Sequence, residues 1–145
     1  MTDAPRDRPV PATTEDPMDR DSGVITHLNF RMWLRPDGIV QIVWTQQTAM
    51  GREDAVAAIK AMAQLTGGRR SPLLVDLHGG GLPDRSARLE LAPRGDVVSA
   101  VALLVDTPLT RMLGNFFLSV NKPSYPIRLF DDEASALAWL RAFVG

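Results

Sequence analysis

The middle of the chain holds the side chains best suited to chemistry, next to a run of glycines. Residues 76–88 read DLHGGGLPDRSAR, between an apolar segment and a helix-like one. Main-chain N–H groups at the start of a helix favour anions, so the glycines suggest a phosphate site. The stretch lacks the lysine of a P-loop and the Gly-x-Gly-x-x-Gly spacing of a dinucleotide site. We therefore interpret the glycines as a loose connection with positions open to positive φ.

Ser86 is the hydroxyl side chain that follows these glycines. His78 is close in sequence, but no Gly-x-Ser-x-Gly elbow surrounds Ser86, and nothing identifies an oxyanion hole. Ser86 is either an exposed or capping hydroxyl in the first turn of a short helix, or a phosphate acceptor. Phosphorylation would place negative charge at a helix N-terminus beside Arg85 and Arg88. We predict no catalytic residue.

The sequence offers little for a metal ion. Neither His27 nor His78 lies at a metal-ligand spacing, and the absence of cysteine excludes disulfides, thiol catalysis and thiolate metal sites. Asp76 interrupts an apolar run and is interpreted as bonding to nearby loop amides. A cation site would require Asp76 and Asp84 to converge. We predict no metal and no cofactor.

The composition of the chain limits the classes of protein to which it can belong. With 145 residues, 45% of them hydrophobic, the chain can form one domain with a real core. The formal net charge of −1 gives no global attraction for nucleic acid or an anionic membrane. No apolar run approaches the roughly 18 residues of a membrane span. Residues 1–22 are rich in proline and charge and are expected to form a disordered tail, or alternatively a docking tail, ahead of one domain over 23–145. We expect a cytoplasmic location.

Hydrophobic periodicity predicts an α/β domain with the element order ββαβαβαβα. The expected architecture is a mixed, mostly parallel sheet of about five strands with helices packed against it. Right-handed crossovers place the loops after Leu77, Val105 and Phe130 along the carboxyl edge of the sheet. The predicted strands are 30–34, 39–44, 72–77, 97–105 and 127–130, and the predicted helices are 50–66, 85–92, one after Thr107-Pro108 and one capped by Asp131 or Asp132.

This element order, with LLVDLHGGGLPDRSARL at its centre, resembles the STAS-like fold of anti-sigma-factor antagonists and sulphate-transporter regulatory domains. Residues 100–143 resemble more closely an uncharacterised bacterial family of stand-alone domains, grouped as STAS-like or related to the lipid-binding SEC14 fold. The resemblance covers about residues 24–145. Because fold does not carry function with it, the resemblance implies an architecture first and an activity second.

The resemblance also suggests a regulatory loop. In the antagonists an Asp-Leu strand end precedes an Asp-Ser-Ser-Gly-Leu-like motif, whose second serine accepts phosphate from a partner kinase. Here residues 76–77 match the strand end, Asp84 matches the aspartate and Ser86 stands at the acceptor position. Arg85 replaces the first serine and Ala87 replaces the glycine, so the match is partial.

These features lead to a main hypothesis and an alternative. The chain is expected to be a non-enzymatic regulatory domain that binds another protein, a regulator or kinase, and it could form a homodimer through exposed sheet edges. The partner is expected to meet the loop after Leu77 and the helix that follows it, through an interaction loop made up of Asp76, His78, Asp84, Arg85 and Arg88. Arg111 and Asn115 are expected on the polar side of a further interaction helix. The alternative is a carrier or sensor of a small apolar, lipid-like ligand. Its pocket would be lined by aromatic side chains, although such a set more often forms part of a core: Phe116, Phe117, Tyr125, Trp139 and Phe143.

Overall fold

The computed structural model of the chain describes residues 23–46, 48–77, 82–105, 112 and 123–144. Several predictions from the sequence lie outside these residues. They are the tail at 1–22, His78, the glycines at 79–81, the helix after Thr107-Pro108 and the interaction residues Arg111 and Asn115.

Six strands form one mixed sheet, in the spatial order in which they occur along the chain. The first three strands pair antiparallel, and the remaining neighbours pair parallel. The architecture therefore agrees with the predicted α/β class, with one strand more than expected. The strands are β1 (Ile25–Thr26), β2 (Phe30–Leu34), β3 (Val40–Trp44), β4 (Ser71–Asp76), β5 (Val98–Leu104) and β6 (Ile127–Phe130).

The helices within the described residues are α1 (Arg52–Thr66), α2 (Arg85–Leu91) and α3 (Glu133–Leu140), followed by a 3₁₀ turn at Arg141–Phe143. Helix α1 ends where the sequence predicts, because Gly67 adopts a left-handed conformation with φ 67°. Asp132, rather than Asp131, caps α3 and accepts the Ser135 N–H at 2.7 Å. No helix in this part of the chain is long and apolar enough to cross a membrane.

The sheet separates two hydrophobic clusters, because side chains alternate between its faces. On one face, which α1 and α2 cover, Ile42 and Leu103 belong to the larger cluster. On the other face Leu74 and Leu104 pack beneath α3 with Leu140. Both faces of β5 are fully buried, which explains why that strand reads as a continuous apolar run.

The turn between β2 and β3 follows the prediction from Arg35-Pro36-Asp37-Gly38. The Gly38 N–H donates to the Arg35 carbonyl at 3.0 Å, and Gly38 has φ 88°, a conformation that favours glycine. The Arg35 side chain then binds the Asp37 carboxylate and the Gln41 amide oxygen. The opening hairpin is thus fixed by local contacts.

Candidate functional site

The parallel strands end side by side, as their parallel pairing requires. The Leu77 N–H donates to the Leu104 carbonyl at 3.1 Å, and the Val105 N–H donates to the Phe130 carbonyl at 2.9 Å. The ends of β4, β5 and β6 therefore share one edge of the sheet. This confirms the expected carboxyl edge, from which the connection to α2 departs.

A two-bond parallel bridge joins the segments that precede α1 and α2. The Met50 N–H donates to the Leu82 carbonyl at 2.9 Å, and the Asp84 N–H donates to the Met50 carbonyl at 2.8 Å. This bridge explains why α1 begins at Arg52 and not at Met50. The starts of the two helices are consequently held next to each other.

Asp84 caps helix α2. Its Oδ1 accepts the Ala87 N–H at 2.9 Å and the Ser86 hydroxyl at 2.7 Å. The hydrogen bond from the Ala87 amide, followed by that from the Ser86 hydroxyl, holds the pKa of the Asp84 carboxyl below its usual range. Asp84 is therefore an ionised cap and a weak base at neutral pH.

Helix α2 presents a narrow outer face. Arg85, Ser86 and Leu89 are exposed, and the Leu89 side chain is 58% exposed, which is unusual for leucine. Ala87 points the other way and is fully buried against α1 and the sheet. We call Arg85, Ser86 and Leu89 the α2 outer face.

Two further contacts hold this face in place. The Arg88 Nη1 donates to the Pro83 carbonyl at 3.2 Å, so Arg88 closes the turn before the helix. On the surface, Arg52 of α1 pairs with Glu90 of α2 at 3.1 Å. Arg88, expected in the interaction loop, thus has a structural contact as well.

The structure does not bring Asp76 together with Asp84. Asp76 lies in one cross-strand row with Val43 and Leu104, on the face of the sheet that α3 covers. Helix α2 and its cap lie on the opposite face. The two carboxylates that a cation site would need are therefore separated by the sheet. Within the described residues, no group of three or more His, Asp or Glu side chains could hold a metal ion.

The aromatic side chains expected to line one pocket are divided between the faces. Tyr125 packs with the cluster beneath α1 and α2, whereas Trp139 and Phe143 pack with Phe130 on the α3 face. The prediction that Tyr125, Trp139 and Phe143 line one pocket is therefore wrong. Side chains alternate between the two faces of the sheet, and α3 packs on the face opposite to α1 and α2, so Tyr125 is separated from Trp139 and Phe143. Phe116 and Phe117 lie outside the described residues.

A cavity of about 80 Å³ lies between the sheet and helices α1 and α2. Its walls are aliphatic side chains from β3, β4, β5 and β6 and from both helices, together with the Tyr125 ring. The Tyr125 hydroxyl donates to the Leu91 carbonyl at 2.9 Å, and burial raises its pKa to about 12. Arg94, in the turn after α2, also lines the cavity.

From the sequence alone, neither Leu89 nor Arg94 was predicted to lie on the outer face of α2 or beside the cavity. Leu89 lies one residue later than the leucine of the regulatory motif, and only the folded helix shows that it faces solvent. Arg94 lies between Pro93 and Gly95, which read simply as the end of a helix. No sequence signal connects Arg94 with Tyr125, which is 31 positions further along the chain.

Residues 32–144 match a family described as "Domain of unknown function (DUF7793)". No curated protein matches the chain. The chain is similar to an uncharacterized protein of the DUF3478 family from Shewanella loihica PV-4, which has a SpoIIAA-like fold. The identity is 16%, the match covers 80% of this chain and 98% of that one, and the TM-score is 0.54.

A second solved structure is similar in sequence. It is a protein with unknown function from Arthrobacter sp. FB24, with 36% identity over 75% of this chain and 96% of that chain and a TM-score of 0.30. The likeness to the Shewanella protein supports the SpoIIAA-like, and hence STAS-like, α/β fold. The family match spans most of the chain, so the protein belongs to the DUF7793 family.

Proposed function

We propose that this protein is a non-enzymatic regulatory domain that binds another protein through the α2 outer face. The observation that carries the proposal is the exposed Leu89 beside Ser86, on a helix whose start is rigidly capped. An exposed leucine gains free energy when a partner covers it, about 2 kcal/mol for full burial. The SpoIIAA-like fold and the partial regulatory motif at Asp84–Leu89 support a regulatory role.

The contacts of Ser86 support a binding role over a catalytic one. Its hydroxyl donates to Asp84, whose pKa is lowered and whose carboxylate already holds the helix cap. A carboxylate in that state is poorly suited to remove a proton from the hydroxyl. We therefore assign no catalytic residue to this face.

Phosphorylation of Ser86 is the proposed switch. A phosphate would add about −1.5 to −2 charges at neutral pH and would remove the hydroxyl proton that Asp84 now accepts. Two anionic groups would then meet at the start of α2, with Arg85 and Arg88 as the nearest cations along the helix. We expect phosphorylation of Ser86 to release the partner that the unmodified α2 outer face binds. In this proposal, both the protein and the kinase that modifies Ser86 are located in the cytoplasm.

Site-specific photo-crosslinking in the native cell tests the proposal. A photoreactive residue at position 89 should capture a defined protein, identified by mass spectrometry, which the same residue at Leu28 does not capture. Leu28 is a matched control because it is also an exposed leucine but lies between β1 and β2. Identical capture profiles at the two positions would contradict the proposal. Phosphopeptide mapping of the same samples tests the switch, which is withdrawn if Ser86 never carries phosphate.

A homodimer through the sheet edges stays a prediction. The edge strands are β1 and β6, and β6 has only four residues. Short edge strands are a common protection against unwanted pairing. Sedimentation of the full chain over a range of concentrations would decide between monomer and dimer.

The cavity favours a second candidate function, a carrier or sensor of a small apolar ligand. Its walls combine Ile42, Leu73 and Leu103 of the sheet with Ala58 and Ile59 of α1. Its apolar lining resembles that of small-molecule sites, but its volume of about 80 Å³ is well below their roughly 300–1,000 Å³, which restricts this candidate to a very small ligand. Native mass spectrometry of protein purified under mild conditions should show a bound compound if this candidate is right.

A further inference from the structure

Three arginines come together where two central strands of the sheet begin. Arg69 and Arg70 precede β4, and Arg94 lies in the turn that precedes β5. The two strands are parallel neighbours, so their starts share the amino edge of the sheet, opposite to the carboxyl edge. The Arg70 Nε donates to the Gly95 carbonyl at 2.6 Å, which holds Arg70 against the turn that carries Arg94. We call Arg69, Arg70 and Arg94 the arginine cluster.

The positive charge of the arginine cluster is poorly compensated by its surroundings. Within the part of the chain that the structure describes, its one ion pair joins Arg94 Nη2 to Asp96 Oδ2 at 3.4 Å. The two side chains are 38% and 64% exposed, so solvent screens this pair. In the same part of the chain, Arg69 makes no side-chain hydrogen bond or ion pair, and Arg70 uses its Nε alone, which leaves both Nη nitrogens as donors. Three guanidinium groups are thus balanced by one carboxylate.

Compensation of the α1 dipole does not explain the arginine cluster. A cation offsets the partial negative charge at the end of a helix within the last turn, and the last turn of α1 contains no basic residue. Arg69 and Arg70 follow the cap residue Gly67, and the Arg70 side chain donates to the Gly95 carbonyl and not to a carbonyl of α1. The charge of the cluster is therefore available to a binding partner.

The surface beside the arginine cluster is open. Gly67 and Gly68 are both exposed, and a Cβ atom built on either of them would meet no other atom within 4 Å. The main chain immediately before Arg69 is therefore not covered by any side chain of the described residues. An extended segment can approach this surface closely enough for its carboxylates to reach the guanidinium groups.

We propose that the arginine cluster binds an acidic segment, rich in Asp and Glu, of a protein partner. A guanidinium matches a carboxylate with two parallel hydrogen bonds, and Arg69 and Arg70 have the donors for this geometry. Arg94 adds positive charge beside them. The cluster lies at the edge of the sheet opposite to the start of α2, so the inference goes beyond the proposed function and does not depend on it.

The number of arginines and their surroundings favour a protein over other polyanions. Basic clusters that bind anionic lipids contain about four to eight Lys or Arg residues, more than the three present here. Single-stranded nucleic acids are held by stacking on aromatic side chains as well as by cations. The aromatic side chain in the neighbouring segment before β6, Tyr125, is buried. Three arginines beside a buried ring therefore suit a few carboxylates best.

A fluorescent peptide of six glutamates is the probe for this surface. Its anisotropy is titrated with the full-length protein at neutral pH, at low and at physiological ionic strength. The wild type should bind the peptide, and more weakly as the ionic strength rises, because salt screens exposed charges. A matched peptide of six glutamines should not bind. No binding of the glutamate peptide, or equal binding of the two peptides, would overturn the proposal.

Two double variants with the same change in net charge locate the binding. Arg69→Glu with Arg70→Glu should reduce the affinity for the glutamate peptide about tenfold or more. Lys60→Glu with Arg128→Glu is the matched control, since Lys60 of α1 and Arg128 of β6 are exposed cations outside the cluster, and it should change the affinity less than about threefold. Equal losses in the two double variants would overturn the proposal, because overall charge would then attract the peptide.

Thermal unfolding of each variant confirms that it is folded. If the double variant at the cluster does not fold, Arg69→Glu alone replaces it, because the Arg69 side chain makes no hydrogen bond or ion pair within the described residues. The single variant should still weaken binding of the glutamate peptide several-fold, and an affinity equal to that of the wild type would overturn the proposal.

Two other polyanions decide between classes of partner. An oligothymidylate with the same number of charges and vesicles containing phosphatidylserine should both bind the wild type more weakly than the glutamate peptide does. Tighter binding of either one would overturn the assignment to a protein partner. Leu89→Ala should bind the glutamate peptide as the wild type does, so a failure of this inference can be distinguished from a failure of the proposed function.

Discussion

The Ser86 hydroxyl donates to the same Asp84 oxygen, Oδ1, that accepts the Ala87 amide of the α2 cap. The proposed phosphate acceptor and the helix cap therefore share one atom. Any change at Ser86 that removes its proton must act directly on the start of α2. This coupling gives a local chemical event a structural consequence, which is what a regulatory switch requires.

The cap predicts how helix α2 responds to mutation. Asp84→Ala should lower the free energy of unfolding, because the Ala87 N–H loses its acceptor at the helix start. Asp84→Asn should lower it less, since asparagine also caps helices. Urea unfolding monitored by circular dichroism measures both variants, and equal losses would show that the charge matters more than the cap.

The cap carboxylates also predict acid sensitivity. The pKa of Asp84 and that of Asp132 are lowered from the ordinary value of 3.8, chiefly by a main-chain hydrogen bond to each. Because the folded-state pKa is depressed, their contribution is present above pH 3.8 and is lost as the pH falls through the folded-state value. Stability measured below pH 4 should fall less steeply in the Asp84→Asn, Asp132→Asn double variant. Curves of the same steepness would contradict this origin.

Tyr125 predicts the alkaline behaviour of the protein. Burial raises its pKa from 10.0 to about 12, so the folded state favours the neutral phenol. Its contribution to stability is present below pH 10 and is lost as the pH rises towards 12, by roughly 3 kcal/mol. Tyr125 is the single tyrosine of the chain, so phenolate absorbance reports on it alone. A titration midpoint near pH 10 with the protein still folded would contradict the burial of Tyr125.

Two leucine positions should respond very differently to truncation. Leu140 is fully buried between α3 and the sheet, so Leu140→Ala should lower the free energy of unfolding by about 3 kcal/mol. Leu89→Ala should change it by less than about 0.5 kcal/mol, because the side chain faces solvent. Chemical denaturation of the two variants makes the comparison. A large loss for Leu89→Ala would mean that Leu89 serves the fold and not a partner.

The elements that could be predicted from the sequence are those that a local residue pattern marks, such as a glycine at a turn or at the end of a helix. Gly67 ends α1, and Gly38 closes the first hairpin, because positive φ is nearly specific to glycine. Strand β1 was missed because Ile25–Thr26 is too short to show alternation. Its place in the sheet depends on pairing with Met32 and Arg31, which only the tertiary structure shows.

The candidate site was harder to predict, since it depends on which face of the sheet each residue occupies. The spacing of Asp76 and Asp84 is compatible with one site, yet strand alternation puts Asp76 on the α3 face. The cavity joins Arg94 to Tyr125 only after α2 has packed on the sheet. The position of Ser86 in the first turn of α2, by contrast, follows from the sequence because an aspartate cap precedes it.

The central claim is that the α2 outer face binds a protein partner and that charge at Ser86 releases it. The most direct test is the dissociation constant of the partner crosslinked through position 89, measured for the wild type and for Leu89→Arg, Ser86→Asp and Leu28→Arg. We predict at least a tenfold weakening for Leu89→Arg and for Ser86→Asp, and less than about a twofold change for Leu28→Arg. Equal affinity for all four proteins would contradict the account.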